Sequence, residues 1–177
     1  MKLNLGCGQN RMEGYVNTDK EPLVEPDVVM DLEDFPWPFD DDSVDEVVAN
    51  HVLEHVGADP QVFLGVMQEL YRVCRPGALL RIAVPHPRHD NFLSDPTHVR
   101  AITPMTMQLF SKANCLEWKR LGGANTPLAL YADVDFELRE VTTTVEDKYL
   151  HEPDLAGLIE RSNNVASEYR MLLQVIK

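Results

Sequence analysis

Apolar and polar positions alternate at the start of the chain. Leu3 and Leu5 alternate with Lys2 and Asn4, the two-residue period of a strand packed on one face, and Gly6 and Gly8 end it. The run Tyr15-Val16-Asn17-Thr18 predicts a second strand closing on Asp19, and Val28 to Met30 predicts a third closing on Asp31. Two prolines, Pro22 and Pro26, leave no room for a helix between them. Val44 to Asn50 reads as a fourth strand. Phe63, Val66, Met67, Leu70, Val73 and Cys74 then recur at helical spacing, which predicts a helix from about Pro60 to Arg75. Asp59 is its N-cap, Pro60 its first helical residue, and Arg75-Pro76-Gly77 its stop. Ala78 to Pro85 follows as a buried strand, parallel to the fourth across that helix. Further on, the pattern predicts a short helix over Pro104 to Lys112 and a strand over Phe136 to Val145. A helix near Pro153 to Arg161 and a last strand near Tyr169 to Ile176 complete it.

A chain of 177 residues with 44% apolar and 25% charged residues is expected to form one ordered domain. No apolar run approaches the ~20 residues of a membrane span, and no charged-then-apolar leader precedes the first strand. Cys7, Cys74 and Cys115 show no pairing pattern, so reduced thiols and a cytoplasmic location are expected. The net charge of -13 argues against stable binding to bare nucleic acid, and no membrane partner is expected.

The chemistry-bearing residues fall after predicted strands. Gly6 and Gly8 let a ligand lie against the backbone where the first strand stops. Asp19, at the tip of the next, has two oxygens that can accept both hydroxyls of a ribose; each such bond to a charged acceptor contributes about 1.5 to 3 kcal/mol. Asp31 followed by Leu32 can accept from an exocyclic amine and pack a purine face; an aspartate capping a turn is the commoner fate of such a residue. The segment His86 to Arg100 carries His86, His89, His98, Asp90 and Asp95 after the fifth strand, where α/β sheets place ligands. Those histidines are candidates for a general base, or they hold the loop together. The set His86-x-x-His89-Asp90 with His98 fits no standard zinc spacing, and Asp40-Asp41-Asp42 lacks the alternation of a calcium loop, so no metal is expected.

Leu3-Asn4-Leu5-Gly6-Cys7-Gly8, then Asp19, Asp31-Leu32, Asn50-His51-Val52-Leu53-Glu54-His55 and Arg75-Pro76-Gly77-Ala78-Leu79-Leu80 together resemble the class I S-adenosylmethionine-dependent methyltransferases, over roughly residues 2 to 85. The resemblance implies an α/β Rossmann-like sheet, mostly parallel with an antiparallel C-terminal strand. It implies that Gly6, Cys7 and Gly8 line the methionine portion of the cofactor, that Asp19 holds the ribose, and that Asp31 and Leu32 meet the adenine. Asn50 would offer its backbone carbonyl to the amino group and His51 would wall the sulfonium side. Arg11, a cation soon after the glycines, is a further candidate, for the cofactor carboxylate.

The chain departs from the family pattern in lacking a helix before the first strand and between the glycine loop and Asp19. Part of one sheet face is then expected to be uncovered, and the late segment or a second subunit to cover it. A nicotinamide-binding protein is disfavoured, since that fingerprint needs a third glycine and a helix N-terminus facing a pyrophosphate. The implied activity is methyl transfer from S-adenosylmethionine, leaving S-adenosylhomocysteine, to a small-molecule, sugar or lipid-conjugate acceptor. The alternative is a cofactor-binding module that acts through a partner protein. Either would occupy a single domain over 1–177, with 86–135 and 146–166 as substrate-side or sheet-covering segments.

Overall fold

The computed structural model describes residues 1–177. Seven strands form one sheet: β1 (Lys2–Leu5), β2 (Val16–Asp19), β3 (Val28–Val29), β4 (Val44–Asn50), β5 (Cys74–Pro85), β6 (Phe136–Val145) and β7 (Ala166–Val175). Their order is β3-β2-β1-β4-β5-β7-β6. Every pairing from β3 to β5 is parallel, and β7 runs antiparallel to both β5 and β6. The sheet is therefore the mostly parallel Rossmann-like one with a reversed C-terminal strand.

Helix α1 (Pro60–Val73) is the crossover between β4 and β5. The Asp59 carboxylate accepts from the Gln61 amide at 2.8 Å, and Pro60 enters the first turn, where no donor is lost. Phe63, Val66, Met67, Leu70 and Val73 are buried along one stripe, against Leu3, Leu5, Leu80 and Ile82 of the sheet in the same core. Each such side chain contributes about 1.5–3 kcal/mol. The helix ends at Val73, before the expected Arg75, and Cys74 enters β5 directly. Arg75-Pro76-Gly77 is a bulge in that strand: Val44 pairs with Cys74 and Glu46 with Leu79, and Gly77 takes φ +81°.

The segment after β5 is richer in helix than the sequence pattern showed. Helix α2 (Asp90–Leu93) is a single turn, α3 (Pro104–Gln108) is followed by α4 (Lys112–Arg120), and α5 (Leu128–Ala132) leads into β6. Ile102, Met107, Phe110, Ala132 and Val134 join the main core, with Phe110 edge-on to Phe63. Helix α6 (Leu155–Arg161) precedes β7. No helix is long and apolar enough to cross a membrane.

The other face of the sheet is covered over β1 and β2 and open over the strands beyond. β1 is buried on both sides: Asn4 is as enclosed as its leucines, because its amide donates to Asn10 O and to Asn17 Oδ1, both at 2.9 Å. Asn17 in turn donates to Asp27 Oδ2 at 2.8 Å and accepts from the Met12 amide at 2.7 Å. A polar loop thus covers β1 and β2 where a helix would otherwise lie. Across β4, β5, β7 and β6 the face stays open as a groove of about 350 Å³, to which the 146–166 segment contributes no lining residue. It does not demand an apolar cover. Glu46 pairs with Lys2 at 2.8 Å and Arg81 at 2.7 Å, and Val48 and Ala83 on this face are already buried.

Candidate functional site

The reversal of strand order lies between β1 and β4, which flank each other while the chain runs outward through β2 and β3. At such a switch point the loops leaving neighbouring strands diverge and open a crevice beyond their C-terminal ends. Here the crevice is a cleft of about 380 Å³, within the range of small-molecule sites.

Each wall comes from a strand end. Gly6, after β1, has φ +56°, and a Cβ there would lie 2.6 Å from Val52 Cγ2. Only glycine lets the loop turn there with Val52 packed behind it. Asp19, at the end of β2, accepts from the Gly8 amide at 2.8 Å and from the Glu21 amide at 2.9 Å. These two bonds use one lone pair on each carboxylate oxygen and leave one on each free. Asp31 accepts from the Glu33 amide at 3.0 Å, so it does cap a turn, with its second oxygen left over. Beside it, the Leu32 carbonyl accepts from Trp37 Nε1 at 3.1 Å, and the Trp37 amide donates to Glu69 Oε2 of α1 at 2.7 Å. The aromatic-proline loop therefore anchors the Asp31–Leu32 wall to the crossover helix.

β4 ends in an unusual turn. His51 is a non-glycine residue at φ +54°, a conformation that costs about 1–3 kcal/mol and is concentrated at functional sites. Its ring faces the cleft between two acids: Nε2 lies 2.8 Å from Glu168 Oε2 and Nδ1 lies 3.4 Å from Glu54 Oε1. Glu54 first, then Glu168, raises the His51 pKa above the ordinary histidine value, against the effect of burial. Burial works against the charge on Glu168 too, yet Arg170 and His51 hold its pKa below the carboxylate norm.

Of the residues singled out from sequence, Gly6, Asp19, Asp31, Leu32 and His51 line this one cleft. Cys7, Gly8 and Asn50 do not. The Cys7 side chain is buried under the loop, where desolvation and then Asp19 push the thiol pKa up. The Gly8 amide is spent on Asp19, and Asn50 lines the groove on the open face. Arg11 is committed elsewhere: it pairs with Asp27 and donates to Glu25 O.

The three loop histidines also lie off the cleft. His86 is buried, tilts against Tyr169 at 4.7 Å and accepts from the Arg88 amide through Nδ1. Its pKa is lowered by burial, then by Arg88 and His89. His89 caps α2 by accepting from the Asn91 amide, with Nε2 3.4 Å from Glu146. His98 stacks on Phe92 and stands edge-on to His55 at 4.6 Å. His86 and His89 turn to different neighbours, so the set His86, His89, Asp90 and His98 does not converge.

His55 and Thr97 do line the cleft, and Glu54 and Glu168 stand behind its wall through His51. The sequence offered one signal for Glu54 and His55, the segment His51 to His55 read as a unit. A 3-10 turn over Leu53–His55 buries Glu54 and leaves His55 facing outward. Glu168 is contributed by β7, and no local pattern announces it.

Residues 10–82 match the family model described as a methyltransferase domain. The fold is that of the class I S-adenosylmethionine-dependent methyltransferases. Among similar solved structures is a SAM-dependent methyltransferase from Archaeoglobus fulgidus, 17% identical, covering 98% of this chain and 85% of that one with TM-score 0.64. Another, from Methanosarcina mazei, is 17% identical, with coverages of 99% and 92% and TM-score 0.54. A third is a Haloferax volcanii methyltransferase in complex with the Trm112 activator, 15% identical, with coverages of 99% and 82% and TM-score 0.55. At such identities the likeness is one of fold. No curated protein matches the chain in sequence. In this chain the connection between β1 and β2 is a polar loop without a helix.

Proposed function

We propose that the chain binds S-adenosylmethionine in the cleft and transfers its methyl group to a small-molecule, sugar or lipid-conjugate acceptor. The observation that carries this reading is the convergence of Gly6, Asp19, Asp31, Leu32 and His51 on one cleft at the strand-order switch. The residues suit the cofactor. Gly6 leaves the space a Cβ would fill, Asp19 keeps two free lone pairs for the ribose hydroxyls, and Asp31 has an oxygen left for an amine beside the apolar Leu32. His51 walls the remaining side, and the loop of Cys7 and Gly8 serves through its backbone. Asn50 contributes through its backbone as well.

The bound sulfonium supplies a methyl group already carried on a good leaving group. The protein's task is then alignment, which contributes about 7 to 11 kcal/mol where the reacting atoms are held at attack distance. A proton acceptor is needed only for an acceptor group that must ionise. Of the histidines proposed from sequence for that role, His98 stands edge-on to His55, which lines the cleft. Calorimetric titration with S-adenosylmethionine, followed by measurement of S-adenosylhomocysteine released across an acceptor panel, tests the proposal. Failure of the full chain to bind the cofactor overturns it, whereas binding without release on any acceptor favours a non-catalytic module.

A further inference from the structure

Glu54 is wholly buried, and neither carboxylate oxygen has a hydrogen-bond partner. His51 Nδ1, 3.4 Å away, is near enough to attract it but is not hydrogen-bonded, and no lysine or arginine pairs with it. A buried carboxylate without partners is strongly unfavourable unless a cation joins it. Beside it stand His55 and His98, and one ligand atom from each of the three residues lies within 4.8 Å of the others.

The hydrogen bonds around the two rings fix their tautomers. Thr97 Oγ1 donates to Asp95 Oδ1 at 2.6 Å, so towards His55 Nδ1, 2.9 Å away, it acts as acceptor. His55 Nδ1 therefore carries the proton. His98 Nδ1 lies 2.8 Å from the Phe92 carbonyl, which can only accept, so this nitrogen carries a proton as well. In neutral rings both histidines then keep an unprotonated Nε2, the form that binds metals. A backbone carbonyl on Nδ1, as at His98, is a usual outer partner of a metal-bound histidine, and at His55 the Thr97 hydroxyl relays the Asp95 carboxylate to Nδ1. His98 Nε2 is 3.9 Å from Asp95 Oδ2, too far to be spent there.

We infer that Glu54, His55 and His98 form a divalent-metal site, suited to Zn²⁺, on the wall of the cleft. Two imidazoles and one glutamate are the donor set of zinc sites that keep a fourth position for water or substrate. Because His55 and Thr97 line the cleft, that position opens towards it. For zinc, the expectation of no metal rested on spacings within the 86–100 loop. This set joins one residue of that loop to two from the turn after β4, a combination no linear motif displays.

The inference stands apart from the cofactor reading, and its test needs no cofactor. The full chain is stripped with chelator and dialysed against Zn²⁺ alone; bound metal is then measured by atomic emission, and the melting temperature with and without Zn²⁺. One equivalent per chain and a zinc-dependent rise in melting temperature are expected. Both should be lost in His98→Ala and in the near-isosteric Glu54→Gln, and kept in His151→Ala at the exposed His151. Thr97→Val, which leaves the ligands in place, should weaken binding about 10–100-fold. Circular dichroism establishes that each variant is folded, and Co²⁺ in place of Zn²⁺ should give visible absorption that disappears with the same ligands. Absence of stoichiometric zinc in the folded wild type overturns the inference. So does zinc held equally by folded Glu54→Gln and His98→Ala.

Discussion

The Gly8 amide donates to Asp19 Oδ2 at 2.8 Å, tying the acid at the end of β2 to the glycine loop at the end of β1. Two of the walls proposed to meet the cofactor are thus held by a bond that exists before any ligand arrives. Such preorganisation lowers the ordering cost of binding.

Asp19→Ala is expected to weaken S-adenosylmethionine binding about a hundredfold, the loss of two hydrogen bonds to a charged acceptor at about 1.5–3 kcal/mol each, partly replaced by water. Stability should fall by about 1–2 kcal/mol, since the Gly8 and Glu21 amides both lose their acceptor, the second of them in an exposed turn. Calorimetry and urea unfolding read the two effects separately, and unchanged affinity would remove Asp19 from the site.

Gly6→Ala should be damaging in two separable ways. The positive φ costs an alanine about 1–2 kcal/mol, and the new Cβ overlaps Val52 Cγ2. Adding Val52→Ala relieves the overlap and leaves the backbone term. A double-mutant cycle in urea should therefore show favourable coupling between the two substitutions.

Trp37→Phe removes the donor to the Leu32 carbonyl and leaves a gap in a buried position, at about 2–4 kcal/mol of stability. Leu32 is then less firmly placed, and cofactor affinity should fall several-fold. Affinity unchanged in the folded variant would mean that the Asp31–Leu32 wall does not depend on this anchor.

Glu69 makes the fold sensitive to acid. Its bonds with Arg72, and then the Trp37 amide, hold its pKa below the ordinary 4.5 despite burial. A carboxyl depressed in the folded state stabilises fully above its unfolded value, and that stability drains away as pH falls through the folded one. Urea midpoints should drop on acidification from about pH 6 to about pH 3. Glu69→Gln should cost about 2 kcal/mol at the upper end and show a shallower decline.

Seven strands and α1 are legible in the sequence; α1 buries a continuous stripe, as Phe63, Val66, Met67 and Leu70 show, whereas the two-residue β3 buries neither side chain and is marked only by the apolar run ahead of Asp31. The short helices α2, α4 and α5 are not. In α4 only Cys115 is buried, so no apolar period marks it. The cleft was readable where strand ends carry glycine or an acid. Its remaining parts were hidden for a physical reason: Thr97 reaches it and Glu168 backs His51 from distant segments, and Glu54 gains its meaning only from a tight turn that buries it. His86 and His89 were prominent in sequence for their density, yet their rings serve as turn acceptors and packing surfaces.

The sheet order places β7 between β5 and β6. On a ribosome, neither of those neighbours has a mate along that edge until residues 166–175 have been made, however early the β1–β4 half takes shape. The β5 edge therefore stays open from Pro85 until residues 166–175 are made, and β6 adds a second open edge after Val145, which invites pairing between nascent copies. Slowed elongation near the C-terminus should raise aggregation of this protein more than a pause of equal length before β5.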